Sequence, residues 1–129
     1  MDIIGNGVDI IKNSRINNSI KTKGFLNRIF TKKEIEQGKK LKNKINYYAK
    51  RFAAKEAFVK AIGTGFRSEI NFIDIEIKNY KNGKPYILLS KKLKNFIKEK
   101  FKIHKYKVFL SLSDEKEFSI AFVVIDKKI

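Results

Sequence analysis

Residues 48–65 read YAKRFAAKEAFVKAIGTG. The alanines in this stretch favour helix and let a neighbouring element approach closely, while its large apolar side chains supply contact area. We predict a helix from Lys44 to Ile62, which ends at Gly63 because glycine readily takes the left-handed conformation of a helix C-cap. Residues 48–65 carry one carboxylate, Glu56, among four cations.

The N-terminal segment alternates as a strand from Ile3 to Ile11 and places two glycines on the face that carries Asp9. Glycine weakens a strand, and it is used where another backbone or a ligand comes very close. Gly5 and Gly7 therefore predict tight packing beside the Asp9 carboxylate, although a bulge next to a turn-forming aspartate explains the same residues.

The rest of the chain supplies further helices and two hairpins. Thr31 and Glu34 form a capping-box pattern at the start of a helix from about Lys32. The remaining predicted elements are a strand at 73–77, a two-residue hairpin turn at Asn82-Gly83 with a returning strand at 86–89, a helix capped by Ser90, and strands at 106–113 and 118–125. We expect an α+β fold in which an antiparallel sheet has its helices packed on one face, and a single domain covering residues 1–129.

Composition limits the function classes. The 129 residues include no cysteine and one histidine, so a metal site must use oxygen ligands. No leader and no apolar run near the ~20 residues of a membrane span are visible, so we expect a cytoplasmic location and no membrane contact. The net charge of +17 invites a nucleic-acid partner, but the lysines are spread along the whole chain. This spread favours a solvated surface, and no nucleic acid is expected.

Glu56 and Lys60 lie four residues apart on the predicted helix, in the order that stabilises an acid–base pair. Such pairs are common on charged helices, but Glu56 shares its face with Phe52 and two alanines, where a charge needs a partner. Mg²⁺ binds proteins through one or two carboxylates and leaves its other positions to water and phosphate oxygens. Asp9 and Glu56 therefore form a candidate magnesium site.

Other catalytic patterns are weak or missing in the sequence. The full phosphate-loop pattern and the dinucleotide glycine fingerprint are absent. His104 lies among lysines and is expected to be an ordinary surface residue. The turn Gly63-Thr64-Gly65 offers backbone amides to an anion, although glycine after a helix is most often only a C-cap.

Four motifs together resemble a known family. They are Gly7-Val8-Asp9, the run Arg51-Phe52-Ala53-Ala54-Lys55-Glu56-Ala57 with Lys60, Gly63-Thr64-Gly65, and Asn82-Gly83-Lys84-Pro85. In order and spacing they are similar to the short bacterial holo-[acyl-carrier-protein] synthases, which are 4′-phosphopantetheinyl transferases. The resemblance covers nearly the whole chain.

This resemblance implies a 4′-phosphopantetheinyl transferase-like fold and a reaction. The enzyme would transfer the phosphopantetheine group of coenzyme A to a serine of apo acyl carrier protein, release adenosine 3′,5′-bisphosphate and support fatty acid biosynthesis. By the family's pattern, Asp9 and Glu56 would bind Mg²⁺, and Glu56 and Lys60 would be catalytic. The implied coenzyme A contacts are Arg51, Lys60, Gly63, Thr64, Gly65, Gly83, Lys84 and Pro85. Either Glu56 or a metal-bound water would accept the serine proton.

The resemblance also implies partners. Family members are homotrimers with active sites between protomers, and they dock a strongly acidic carrier protein on a basic region near the N-terminus, here Arg15, Lys21 and Arg28. One departure is Phe109, because the family often has histidine there, and the contact of that histidine to coenzyme A is expected to be lost or replaced. The alternatives are a basic nucleic-acid module and a trimeric relative without catalysis. The intact acid pair and Lys60 favour the transferase.

Overall fold

The computed structural model describes residues 2–67 and 69–129 of the chain. Within these ranges the elements are β1 (Asp2–Lys12), α1 (Asn13–Ile20), α2 (Phe25–Ile29), α3 (Lys32–Lys39), α4 (Ile45–Ile62), β2 (Ile75–Asn79), β3 (Pro85–Leu89), α5 (Lys91–Phe101), β4 (Lys105–Asp114) and β5 (Phe118–Lys128). A short 3₁₀ turn, Phe72–Asp74, precedes β2. The order confirms the predicted mixture of helices and hairpins and adds α2, which the sequence did not predict.

The strands form two antiparallel sheets. β5 is the central strand of a three-stranded sheet and pairs with β1 on one side and β4 on the other. β2 and β3 form a separate two-stranded hairpin. The predicted α+β fold with antiparallel pairing is therefore confirmed, with the strands divided between two sheets.

Helix α4 forms the centre of the core. It packs against β1 and β5 on the inner face of the three-stranded sheet and also contacts α1 and β2. Ala53, Ala54 and Ala57 have no exposed surface, because these small side chains let the helix and the sheet approach closely. Over the described residues, no helix combines the length and the hydropathy that crossing a membrane requires.

The predicted caps of the helices are confirmed. Gly63 ends α4 with φ 76°, in the left-handed region. Thr31 and Glu34 form the predicted capping box, in which each side chain accepts the other residue's backbone N–H. Ser90 accepts from the N–H of Leu93 at the start of α5. Local hydrogen bonds thus fix these helix ends wherever the sequence carries the right side chain.

The predicted strand start at Ile73 was wrong. Ile73 lies in the 3₁₀ turn and is half exposed, and the strand begins two residues later at Ile75. Asp74 explains the difference, because its carboxylate accepts from the backbone N–H of Asn71 and from the hydroxyl of Ser90. These side-chain bonds hold the chain in a turn although the residues alternate as in a strand.

The hairpin between β2 and β3 is present, but its turn is longer than the predicted two residues. The N–H of Gly83 donates to the carbonyl of Tyr80 at 2.9 Å, and the N–H of Tyr80 donates to the carbonyl of Lys84 at 2.9 Å. Gly83 has φ 91°. Three residues, 81–83, thus lie between the bonded Tyr80 and Lys84, with glycine at the left-handed position, and β3 begins at Pro85.

The outer face of the three-stranded sheet is apolar and exposed. Its cross-strand pairs include Val8 with Phe122, Ile10 with Ile120, and Phe109 with Val124. More than a third of the residue surface is exposed in five of these residues, Val8, Ile10, Phe109, Ile120 and Phe122. Helix α4 covers the opposite face, so this outer face is an apolar surface that the described chain leaves open.

Candidate active site

Two glycines of β1 bring the strand against the backbone of α4. A Cβ atom at Gly7 would lie 2.7 Å from the amide nitrogen of Ala61 and closer still to the carbonyl oxygen of Ala57. A Cβ at Gly5 would collide with the carbonyl oxygen of Ala61. Of the two explanations for these glycines, close approach of another backbone holds, and a register shift between Ile3 and Gly5 shows that the strand is also irregular there.

This close packing places Asp9 beside the C-terminal half of α4. The ammonium group of Lys60 donates to a carboxylate oxygen of Asp9 at 3.1 Å and to the backbone carbonyl of Val8 at 3.1 Å. The Asp9 side chain is only 16% exposed, whereas that of Lys60 is 53% exposed. Lys60 was predicted to pair with Glu56 on the same helix, and in the structure it forms an ion pair with Asp9 of β1.

Glu56 lies on the same side of α4, with its side chain partly buried. Burial raises the pKa of its carboxyl group, the charge of Asp9 raises it further, and Lys60 lowers it. Two carboxylates that repel each other across a partly desolvated space favour a bound cation. The predicted grouping of Asp9, Glu56 and Lys60 is therefore brought together by β1 and α4.

The donor set limits which metal this site suits. Across residues 2–67 and 69–129, no three histidine or acidic side chains come together as a metal cluster. Two carboxylates alone fit Mg²⁺, which takes few protein ligands and leaves positions for water and phosphate oxygens. They do not fit zinc, which prefers nitrogen and sulfur ligands in a closed site.

The turn Gly63-Thr64-Gly65 directly follows α4 and so lies next to Lys60 in the chain. The N–H of Gly63 donates to the carbonyl of Lys60, and the N–H of Thr64 donates to that of Val59. These two amides complete the helix end, as the C-cap interpretation predicted, and they are not directed at an anion. Any role of this turn in ligand binding therefore depends on its shape and on the Thr64 side chain.

Arg51 lies in a different place, a cleft of about 710 Å³ between α3, α4 and the β2–β3 hairpin. The side chains that line this cleft include Lys33, Lys50 and Lys78, three glutamates, Tyr47 and Asn79, but not Asp9, Glu56 or Lys60. Arg51 is 7% exposed, and burial lowers the pKa of its guanidinium. Among the predicted coenzyme A contacts, Arg51 therefore lines this cleft, whereas Lys60 lies at the acid pair.

The guanidinium of Arg51 is held from two directions. It stacks on the ring of Tyr47, with Cζ 3.8 Å from the ring centroid, and its Nη2 donates to the side-chain oxygen of Asn79 at 2.7 Å. The amide nitrogen of Asn79 in turn donates to the carbonyl of Gly83 at 2.9 Å. The hairpin turn with Gly83, Lys84 and Pro85 is therefore tied to Arg51 through one side chain.

Sequence reasoning missed the ion pair of Glu34 and Lys55. It treated Glu34 only as a cap and named Lys55 within the run of residues that resembles the family. Lys55 is fully buried, and its ammonium donates to Glu34 at 2.7 Å and to the carbonyls of Ile29 and Phe72. Desolvation lowers the pKa of Lys55. The available signal was the run of alanines around Lys55, which marks that part of α4 as a packed surface.

The other predicted residues lie on the surface. Arg15 in α1, Lys21 at its C-terminal end and Arg28 in α2 are all exposed. His104 is exposed as well, between α5 and β4. Phe109 lies on the outer face of the three-stranded sheet, where the ammonium of Lys107 is 4.9 Å from its ring centroid.

Comparisons with known proteins agree on one family. The profile of the 4′-phosphopantetheinyl transferase superfamily matches residues 5–123. The chain is 52% identical over 128 residues to a holo-[acyl-carrier-protein] synthase of Pelagibacter ubique, covering 99% of this chain and 100% of the relative. It is 47% identical over 128 residues to one of Ehrlichia chaffeensis, covering 95% of this chain and 96% of the relative.

Solved structures give the same result. The holo-[acyl-carrier-protein] synthase of Neisseria meningitidis superposes with a TM-score of 0.85 and 40% identity, covering 97% of this chain and 99% of that one. The Bacillus anthracis protein in complex with CoA (3′,5′-ADP) gives 0.83 and 38%, covering 99% and 100%. The Helicobacter pylori protein in complex with coenzyme A gives 0.78 and 33%, covering 94% and 99%.

Proposed function

The chain belongs to the 4′-phosphopantetheinyl transferase superfamily and is an enzyme of the holo-[acyl-carrier-protein] synthase type, and from this premise we propose its full reaction. It transfers the 4′-phosphopantetheine group of coenzyme A to a serine of apo acyl carrier protein, depends on Mg²⁺ and releases adenosine 3′,5′-bisphosphate. One observation carries the proposal: β1 and α4 pack so closely that Asp9, Glu56 and Lys60 meet.

Asp9 and Glu56 hold the Mg²⁺ ion in this proposal. A bound ion would neutralise charge on the pyrophosphate of coenzyme A, while the serine oxygen bonds to the phosphorus that carries the pantetheine arm and the bridging oxygen leaves with adenosine 3′,5′-bisphosphate. Lys60 donates to a pyrophosphate oxygen, for which its half-exposed ammonium is suited. Either Glu56 or a metal-bound water accepts the serine proton in this proposal.

Arg51 binds the 3′-phosphate in this proposal. Coenzyme A carries phosphate at two places, the pyrophosphate and the 3′-phosphate, and the pyrophosphate is assigned to the acid pair and Lys60. The cleft around Arg51 does not include those residues and contains three further lysines. The 3′-phosphate is the remaining anion that a guanidinium would bind through parallel hydrogen bonds. Gly83, Lys84 and Pro85, together with Gly63, Thr64 and Gly65, line the nucleotide.

Arg15, Lys21 and Arg28 form the proposed docking surface for the acidic carrier protein. All three are exposed and belong to the first two helices, which follow the strand that carries Asp9. Attraction between a basic surface and an acidic partner raises the rate of encounter and weakens with salt, because ions screen exposed charges beyond about 10 Å at 0.1 M.

A homotrimer with active sites between protomers is also part of the proposal. The exposed apolar face of the three-stranded sheet, with Val8, Ile10, Ile120, Phe122 and Phe109, supports it, because a contiguous apolar surface of this kind is typical of a subunit interface. Phe122→Lys should therefore lower the molar mass measured by light scattering to that of a monomer. A mass unchanged from the unsubstituted chain would argue against this face as the interface.

The remaining parts of the proposal follow from the family resemblance. They are a single catalytic domain over residues 1–129, a role in fatty acid biosynthesis and a cytoplasmic setting. The match of the family profile to residues 5–123 supports the single domain.

The test is an incubation of the purified chain with apo acyl carrier protein, coenzyme A and Mg²⁺, with and without EDTA. Intact-protein mass spectrometry should show a metal-dependent gain of one phosphopantetheine on the carrier. Glu56→Gln and Asp9→Asn should lower the rate by about 100-fold or more, because each removes a charge that acts on the reacting phosphate. Glu99→Gln changes an exposed acid on α5 and is the matched control. Full activity in either site variant would refute the ligand assignment.

A further inference from the structure

The side chain of Asn79 connects Arg51 to the hairpin turn and has no role in the proposed reaction. It is the last residue of β2, directly before the hairpin turn. Its side-chain oxygen accepts from Nη2 of Arg51 at 2.7 Å, and its side-chain nitrogen donates to the carbonyl of Gly83 at 2.9 Å. Both ends of one amide group are therefore engaged, one with Arg51 of the cleft and the other with the hairpin turn.

Arg51 itself is left with donors to spare. A guanidinium carries five N–H groups, and the bond to Asn79 uses one of them. Its Nε is buried and finds no acceptor among the described residues. Since buried polar groups are nearly always satisfied, this edge of a side chain that is 7% exposed requires a partner. Arg51 lines the cleft, where an anionic ligand would accept from the guanidinium N–H groups that Asn79 does not use.

The stack on Tyr47 limits how the guanidinium moves. With Cζ 3.8 Å from the ring centroid, the guanidinium can still slide and rotate in its own plane over the ring. The bond to Asn79 removes that freedom, because it fixes one edge of the plane. Tyr47 thus sets the plane of the guanidinium, and Asn79 sets its rotation within that plane.

We propose that Asn79 is a positioning residue that determines selectivity for the 3′-phosphate of coenzyme A, by orienting Arg51 and the Gly83 turn as one unit. This inference rests on the proposed function. Asn79 does not touch the phosphate itself; it turns the free edge of Arg51 towards the phosphate and keeps the hairpin turn at a fixed distance from it. Dephospho-coenzyme A lacks the 3′-phosphate and gains nothing from the orientation of Arg51.

Two substitutions separate the roles of the amide. Asn79→Ala removes both hydrogen bonds and frees Arg51. Asn79→Asp keeps the acceptor for Arg51, loses the donor to Gly83 and adds a negative charge that competes with the phosphate for the guanidinium. The aspartate is therefore expected to impair binding more than the alanine, the reverse of what a loss of packing alone would produce.

The experiment measures kcat and KM with coenzyme A and with dephospho-coenzyme A for the unsubstituted chain, both variants and Asn95→Ala. Asn95 is an exposed asparagine on α5 and serves as the control. Asn79→Ala should raise the KM for coenzyme A about 5- to 30-fold, the loss expected for one or two hydrogen bonds, with kcat within about twofold. The KM for dephospho-coenzyme A should rise less than that for coenzyme A in both variants, because only the shared nucleotide contacts of the Gly83 turn are affected. Binding of adenosine 3′,5′-bisphosphate, measured by calorimetry, should weaken in parallel.

A double substitution provides the decisive comparison. In an Arg51→Ala background, Asn79→Ala should have no further effect on bisphosphate binding, because the residue that it positions is gone. A KM rise of equal size for both nucleotides, or an additive effect in that background, would overturn the inference. If the unsubstituted chain binds the bisphosphate but modifies no carrier, the proposed function fails while the Asn79 comparison still decides the inference. If the unsubstituted chain neither binds the bisphosphate nor modifies a carrier, the proposed function and the inference both fail.

Discussion

Gly7 provides the sharpest test of how this fold builds its site. Alanine there would place a Cβ atom 2.7 Å from the amide nitrogen of Ala61 and nearer still to the carbonyl oxygen of Ala57. Ordinary contacts of a Cβ atom begin near 3.4 Å. Both obstacles are backbone atoms of α4, which is itself packed against β5, so no flexible side chain can move aside.

The expected cost of Gly7→Ala follows from this geometry. Inserting a methyl group into a packed core costs about 1–3 kcal/mol, and a clash with helix backbone belongs at the upper end of that range. With a urea dependence of about 1.5 kcal/mol per molar for a chain of this size, the unfolding midpoint should fall by about 1–2 M. Moving β1 away from α4 also moves Asp9 away from Glu56, so the transfer rate should fall as well.

Urea unfolding followed by circular dichroism measures this effect, at one fixed protein concentration because subunit association would add stability. Asn6→Ala is the matched control, since Asn6 is the exposed neighbour of Gly7 in the same strand. Its midpoint should lie within about 0.3 M of that of the unsubstituted chain, as for most surface substitutions. If Gly7→Ala behaves like Asn6→Ala, the reasoning from close backbone packing is refuted.

Three further predictions concern the helix α4 and its neighbours. Lys55→Met should cost about 3–5 kcal/mol of unfolding free energy in the same urea assay, because it leaves the buried charge of Glu34 unpaired, and the double variant Glu34→Gln/Lys55→Met should cost less than the sum of its single substitutions. Burial raises the pKa of Tyr47 to about 12. The folded state therefore keeps that proton longer than the unfolded chain, and stability is lost as pH rises from about 10 to 12. Tyr47→Phe should lose less over this range, and an identical loss in thermal melts would contradict the assignment. Gly63→Ala should cost about 1 kcal/mol through its positive φ alone, and an unchanged melting temperature would count against the left-handed cap.

Local patterns predicted much of this fold correctly because their causes are local. The capping box of Thr31 and Glu34, the glycine end of α4 and the cap at Ser90 each depend on side chains within a few residues of the backbone that they bind. The strand alternation of residues 3–11 likewise placed Gly5, Gly7 and Asp9 on one face. Where a local bond competes with a pattern, as at Asp74, the prediction failed at Ile73.

By itself the sequence determined the α+β class, the helix around Glu56, and the residue types that suit a magnesium and phosphate site. Only the tertiary structure decided which charges meet. Lys60 pairs with Asp9 across 51 residues of chain, Lys55 pairs with Glu34 inside the core, and Arg51 faces a separate cleft. The physical reason is that the side of a helix on which a charge is buried depends on the elements packed around it. No spacing along the chain contains that information.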